Sequence, residues 1–187
     1  IHHKNMKVIK SNIEVVVIIE PEIIKDINGN YIYESYSQEE FNEKVTPIEF
    51  VQDNESMSVY GVVRGLHYQR EPYAQSKLVR CVKGKVLDVC VDIRKDSPTF
   101  GQHVSVELSE ENHRQVFIPK GFAHGFSVLS DTAIIQYKCD EFYHPESEGG
   151  IFLYDSDLGI DWKIPESDRI VSEKDKLYFK FSDIEFN

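Results

Sequence analysis

Residues 77–93 read KLVRCVKGKVLDVCVDI, and this stretch decides the fold. It holds two short runs rich in Val, Leu, Ile and Cys, separated by Lys83-Gly84-Lys85. Within each run the side-chain period is two, so Lys77, Val79 and Cys81 share one face of a strand. Outward from it the pattern repeats at Val104–Leu108, Gln115–Ile118, Phe126–Leu129 and Ala133–Cys139. Turn residues punctuate the series at Ser97-Pro98-Thr99-Phe100-Gly101, Glu110-Glu111-Asn112 and Ser130-Asp131. Short strands at such spacing predict an antiparallel β-sandwich or barrel. Helical signals are few. Ser37-Gln38-Glu39-Glu40-Phe41 reads as a short helix start with acidic residues in its first turn, and residues 155–175 read as loop followed by short helical pieces.

The chain has 187 residues, the size of one domain, and residues 6–187 show no internal repeat or linker. Residues 1–5 read as the remnant of an expression tag, so His2 and His3 carry no functional weight. The formal net charge of −11 argues against a general nucleic-acid binder. It leaves room for an anionic small molecule, because a few clustered cations set the local field in a cleft. No run approaches the roughly 20 apolar residues of a membrane-spanning helix. The three cysteines, Cys81, Cys90 and Cys139, lie in apolar surroundings and read as buried free thiols of a reducing compartment. With no secretion signal visible, the expected location is the cytoplasm.

Chemistry-bearing residues concentrate in three places. The first is Arg64-Gly65-Leu66-His67-Tyr68-Gln69 with Lys77-Leu78-Val79-Arg80-Cys81. The second is residues 118–126, IPKGFAHGF. The third is Gln136-Tyr137-Lys138 with Tyr143. Pro119-x-Gly121-x-x-His124 resembles the second motif of the cupin barrels, in which a turn delivers a metal-binding histidine. In those barrels an earlier hairpin supplies two more histidines and a glutamate. Here that segment offers only His67, with Gln69 where a second histidine would stand. A catalytic metal needs about three protein ligands, so no metal and no cofactor are expected. Taken singly, Lys77 reads equally as a solvated edge lysine and Tyr137 as a core tyrosine. His124 reads equally as a turn-stabilising histidine and Arg64 as a surface ion-pair partner.

Together these stretches resemble the dTDP-4-dehydrorhamnose 3,5-epimerases. The resemblance runs from about Ile18 to Lys176. It is carried by Phe50–Asn54 (FVQDN), Val63–Gln69 (VRGLHYQ), Ala74–Cys81 (AQSKLVRC), Asp88–Gly101 (DVCVDIRKDSPTFG), Ile118–Phe126, Tyr137-Lys138, Glu148-Gly149-Gly150 and Gly159–Trp162. It implies an all-β cupin-type double-stranded β-helix, a jelly-roll barrel with a few short helices. It also implies an isomerase acting without a cofactor in dTDP-rhamnose and surface-polysaccharide biosynthesis. By resemblance His67 is the base that removes carbon-bound protons, Asp175 its partner, and Tyr137 the acid on the opposite face. Lys77 and His124 surround the sugar keto oxygen and neighbouring hydroxyls, and Arg64 holds the diphosphate. Gln52, Asp53, Asn54, Glu34, Glu148 and Lys174 form the outer binding set, and Tyr143 stacks on the base. Family members are typically homodimers that exchange N-terminal strands. Val15–Ile19 is such a strand, unless it completes its own sheet.

The residue types suit the reaction. Removing a proton beside a ketone needs a base near neutral pKa, and free histidine, at about 6.5, is the side chain nearest that task. A carboxylate on the far ring nitrogen would fix the tautomer. A lysine would stabilise the enolate, and inversion needs a second proton carrier on the other face. One departure stands out: Asn28 occupies the place of a nucleotide-side arginine in Asp26–Glu34, which leaves the nucleotide open. Rival readings are a mono-epimerase or 3,4-ketoisomerase on a related 4-keto sugar nucleotide, a non-catalytic sugar-nucleotide-binding cupin, and a metal cupin.

Overall fold

A computed structural model describes residues 5–186. The tag assignment for residues 1–5, with His2 and His3, lies outside them except for Asn5. The chain runs β1 (Lys7–Lys10), β2 (Val17–Glu20), β3 (Ile24–Lys25), β4 (Tyr31–Ile32), α1 (Gln38–Lys44), β5 (Gln52–Val59), β6 (Val63–Gln69) and β7 (Lys77–Lys83). It continues through β8 (Lys85–Asp92), β9 (His103–Ser109), β10 (Gln115–Ile118), β11 (Phe122–Val128), β12 (Thr132–Cys139), β13 (Glu148–Gly150) and α2 (Glu173–Lys176).

Two antiparallel sheets face each other, ordered β1-β2-β10-β7-β12-β5 and β13-β6-β11-β8-β9. This is the all-β jelly roll expected. The reason is visible in β8, where every second residue turns inward. Val86 and Cys90 join Val79, Cys81, Val116, Ile118, Phe126, Val128 and Ile135 between the sheets. Leu87, Val89 and Val91 turn outward and are roofed by Ile151, Leu153, Leu158, Trp162 and Ile164 of the C-terminal segment. Trp162 is 1% exposed, and its indole N–H donates to the Leu153 carbonyl at 3.0 Å. On the other sheet, Phe41 of α1 packs with Ile19, Leu78 and Phe117. The helix starts as expected: Ser37 caps it, accepting from the Glu40 amide, with Glu39 and Glu40 in the first turn.

Among the strands read from the sequence, two starts move by more than one residue. Strand β11 begins at Phe122 rather than Phe126, because Phe122-Ala123-His124 pair with β8 from Asp92 onward. The apolar run at Val15–Ile19 contributes β2, which pairs with β1 and β10 of the same chain. Within this chain it therefore completes its own sheet. Among the described residues no helix is long and apolar enough to cross a membrane.

Asp92 holds the loop between β8 and β9. It is fully buried and accepts from the Arg94 guanidinium at 2.9 Å and 3.0 Å, from Ser97 at 2.6 Å and from Thr99 at 2.5 Å. Burial alone would raise its pKa, but Arg94, Ser97 and Thr99 outweigh that and hold it at about 2. A carboxyl depressed on folding contributes stability above its unfolded pKa and loses it as pH falls toward the folded value. Asp92→Asn therefore lowers the unfolding free energy by about 2 kcal/mol at pH 7 in urea titrations. The gap between the two proteins narrows below about pH 4 and closes toward pH 2.

Candidate active site

The site is built on a flaw in one strand. Across the β6–β11 pair, His67 opposes His124 while Arg64 opposes Phe126, so three steps on β6 match two on β11. In a regular strand, residues three apart face opposite sides. The extra residue is a bulge, and it turns Arg64 and His67 to the same inner face. Glycines permit it. Gly65 has φ +128°, and a Cβ there would lie 2.7 Å from the Gly125 Cα. A Cβ on Gly125 would lie 2.5 Å from the Arg64 carbonyl.

The bulge leaves the Gly65 amide without a ladder partner, and a carboxylate from the far end of the chain takes it. Asp175 accepts from the Gly65 N–H at 3.1 Å through one oxygen and lies 2.7 Å from His67 Nε2 through the other. The Ser172 hydroxyl caps α2 by accepting from the Asp175 amide at 3.1 Å, which sets the carboxylate's approach. Burial would raise the Asp175 pKa, but His67 and the Gly65 amide prevail and the net direction is down. With Nε2 engaged, Nδ1 is the ring atom of His67 available to a substrate. Tyr178 stands edge-on to the same imidazole, centroids 5.8 Å apart at 70°. A Cβ on Gly150 would run into its ring.

The opposite wall comes from the other sheet. Tyr137 opposes Val79 on β7 and Asn54 on β5. Burial pushes the phenol's pKa up. Lys77 stands one strand away, its ammonium 5.6 Å from the Tyr137 ring centroid. Burial pushes the Lys77 ammonium below its ordinary pKa, while Cys139, Asp88 and Glu148 pull the other way. Gln52 donates to Asn54 at 3.1 Å and accepts from the Tyr143 amide at 3.2 Å. The Tyr143 hydroxyl donates to Glu148 at 3.3 Å, and Lys174 pairs with the same carboxylate. Gln52, Asn54, Tyr143, Glu148 and Lys174 thus form one rim linked by hydrogen bonds. Arg64 is exposed and makes no ion pair among the described residues.

Two of the expected residues stand apart. Asp53 alternates to the outer face of β5, where it pairs with Lys138 at 3.0 Å. Glu34 is exposed ahead of α1, with no contact to His67 or the rim among the described residues. Two residues with no expected role join the site. Tyr178 carried no signal in its local sequence. Asp88 did: it is an acid at an inward position of an otherwise apolar run. It lies 2.7 Å from His124 Nε2, with the two side chains 1% and 9% exposed. Among the described residues no three His, Cys, Asp or Glu side chains converge as a metal site would require. A cavity of about 500 Å³ opens at the barrel end among Arg70, Arg94, Lys95 and Lys120 and reaches Lys77. His67, Tyr137 and His124 do not line it.

The arrangement matches known proteins along nearly its whole length. The family model for dTDP-4-dehydrorhamnose 3,5-epimerase covers residues 10–183. The dTDP-4-dehydrorhamnose 3,5-epimerase of Shigella flexneri is 53% identical over 182 residues, covering 97% of this chain and 99% of that protein. The crystal structure of dTDP-4-dehydrorhamnose 3,5-epimerase from Elizabethkingia anophelis NUHP1 superposes with a TM-score of 0.91 at 53% identity, covering 97% and 98% of the two chains. That of dTDP-6-deoxy-D-glucose-3,5-epimerase from Legionella pneumophila Philadelphia 1, in complex with dTDP-4-keto-L-rhamnose, gives 0.92 at 48% identity, covering 97% and 95%. The chain belongs to the dTDP-4-dehydrorhamnose 3,5-epimerase family and is an epimerase of the isomerase class.

Proposed function

We propose that the protein inverts both carbons flanking the ketone of dTDP-4-dehydro-6-deoxy-D-glucose, giving dTDP-4-dehydro-L-rhamnose, on the way to dTDP-rhamnose. The observation that carries this reading is the opposition of two proton carriers. His67 stands on one sheet with Asp175 behind it, and Tyr137 stands on the facing sheet beside Lys77. A sugar ring held between them meets a base on one face and an acid on the other, which is what inversion requires. Nδ1 of His67 takes the proton from C5, passes it to solvent, and then takes the proton from C3, while Tyr137 regains a proton from solvent between the two inversions; Asp175 holds the ring's tautomer and balances each imidazolium that forms. The Lys77 ammonium stabilises the oxyanion of each enolate, a contribution that grows where water is excluded. The Tyr137 phenol returns the proton on the opposite face. Because burial favours its neutral form, it stays protonated until the enolate takes the proton.

The rim of Gln52, Asn54, Tyr143, Glu148 and Lys174 suits the nucleotide end, and Arg64 suits the diphosphate, which a guanidinium can hold bidentately. Asp53 and Glu34 do not reach this site within one chain. The protruding β3–β4 hairpin, with Ile27 99% and Ile32 70% exposed, supports a homodimer in which such a segment is covered by a partner copy.

Turnover of dTDP-4-keto-6-deoxyglucose in deuterated water tests the function. Deuterium enters at both C3 and C5. Entry at one carbon reduces the protein to a mono-epimerase, and entry at neither, with dTDP bound, leaves a non-catalytic binder. Tyr137→Phe separates the two proton steps. Solvent exchange at the substrate carbons persists, while net inversion falls by about 10²-fold or more. Equal loss of both measurements would remove the acid role.

A further inference from the structure

The two histidines that oppose each other across β6 and β11 each rest on a carboxylate, and only one of those carboxylates has a part in the scheme above. Asp175 serves His67. Asp88 lies on the inner face of β8 between Val86 and Cys90, in the apolar interior of the barrel. Its Oδ2 is 2.7 Å from Nε2 of His124. An ionised carboxylate can only accept hydrogen bonds, so it selects the form of His124 that carries a proton on Nε2. Nδ1 is then the ring atom left for a ligand. The β-register sets His124 directly opposite His67, and strand β11 runs between β6 and β8, so the two histidines share the inner face of the sheet.

On the epimerase reading, in which Lys77 and His124 both border the sugar, the two groups have opposite abilities. Lys77 is an ammonium with three donors and no acceptor, suited to the keto oxygen and the enolate. A ring held with its proton on Nε2 offers a lone pair at Nδ1, suited to a hydroxyl, which must donate. We infer that Asp88 is a positioning residue that fixes the Nε2 proton of His124 and thereby presents Nδ1 as the acceptor for a hydroxyl next to the sugar ketone. This rests on the epimerase reading above, and the division of labour orients the ring so that the carbonyl, not a hydroxyl, meets Lys77. Swapping the two groups would leave a lone pair facing the developing oxyanion.

The test has an arm that needs no turnover. Two-bond ¹H–¹⁵N spectra of the full chain labelled at histidine, recorded at pH 8, report which nitrogen of each ring is protonated. His124 is expected as the Nε2–H form, with its signals assigned by their loss in His124→Gln. A proton on Nδ1, on both nitrogens, or exchanging between them overturns the inference. This arm stands whether or not the wild type turns over dTDP-4-keto-6-deoxyglucose, so inactivity of the wild type counts against the epimerase reading alone. For the active protein, Asp88→Asn lowers kcat by about 10- to 100-fold, with the Kd for dTDP unchanged. The same substitution made in His124→Gln costs nothing further. A kcat within threefold of wild type, or an equal further loss in the His124→Gln background, overturns it.

Discussion

The hydrogen bond between His67 and Asp175 is the constraint on which the rest of the site depends. It joins residues 108 apart in sequence, so it exists only when the C-terminal segment has packed against the sheet of β6, β11 and β8. That packing is apolar and centres on Trp162, Leu153 and Ile151. The energy that seats the segment is hydrophobic, while its product is a carboxylate 3% exposed, aimed at an imidazole. A buried carboxylate without partners is costly. Asp175 has two, the ring and the Gly65 amide, and the second is free only because the strand is bulged.

The bulge, the glycines and the carboxylate are therefore one device. Gly65 and Gly125 let the backbones of β6 and β11 approach where a Cβ would collide. The extra residue turns Arg64 to the face that carries His67, and the amide it leaves unpaired anchors Asp175 against the imidazole. The neighbouring ladders between β8, β11 and β9 run without a break, and the facing sheet has a register shift of its own between Ile134 and Ile135 on β12, outside the stretch that carries Tyr137. On the facing sheet, regular alternation suffices: Lys77 and Tyr137 reach the interior by the period-two rule alone.

This contrast explains what could be read from the chain before its structure. The jelly roll was legible because inward and outward residues alternate cleanly in β7, β8 and β12, and the turn residues sit between them. His67, Lys77 and Tyr137 were legible as a set by resemblance. The bulge was not legible, since strict alternation places Arg64 and His67 on opposite faces. The resemblance groups Asp53 with Gln52 and Asn54, yet the strand period sends it to the other side, where Lys138 holds it. Asp88 was open to the same rule in the other direction, because a carboxylate at an inward position of an apolar strand calls for a buried partner. Tyr178 depends wholly on the path of the chain after α2, and nothing local announced it.

In the proposed reaction His67 is the group that takes the proton from carbon. The most direct measurement is solvent exchange into dTDP-4-keto-6-deoxyglucose by His67→Ala, with dTDP affinity measured on the same preparation. With one imidazole serving both carbons, dTDP binds as before and exchange at C3 and C5 is abolished together. Exchange surviving at either carbon in the folded, dTDP-binding variant would contradict it.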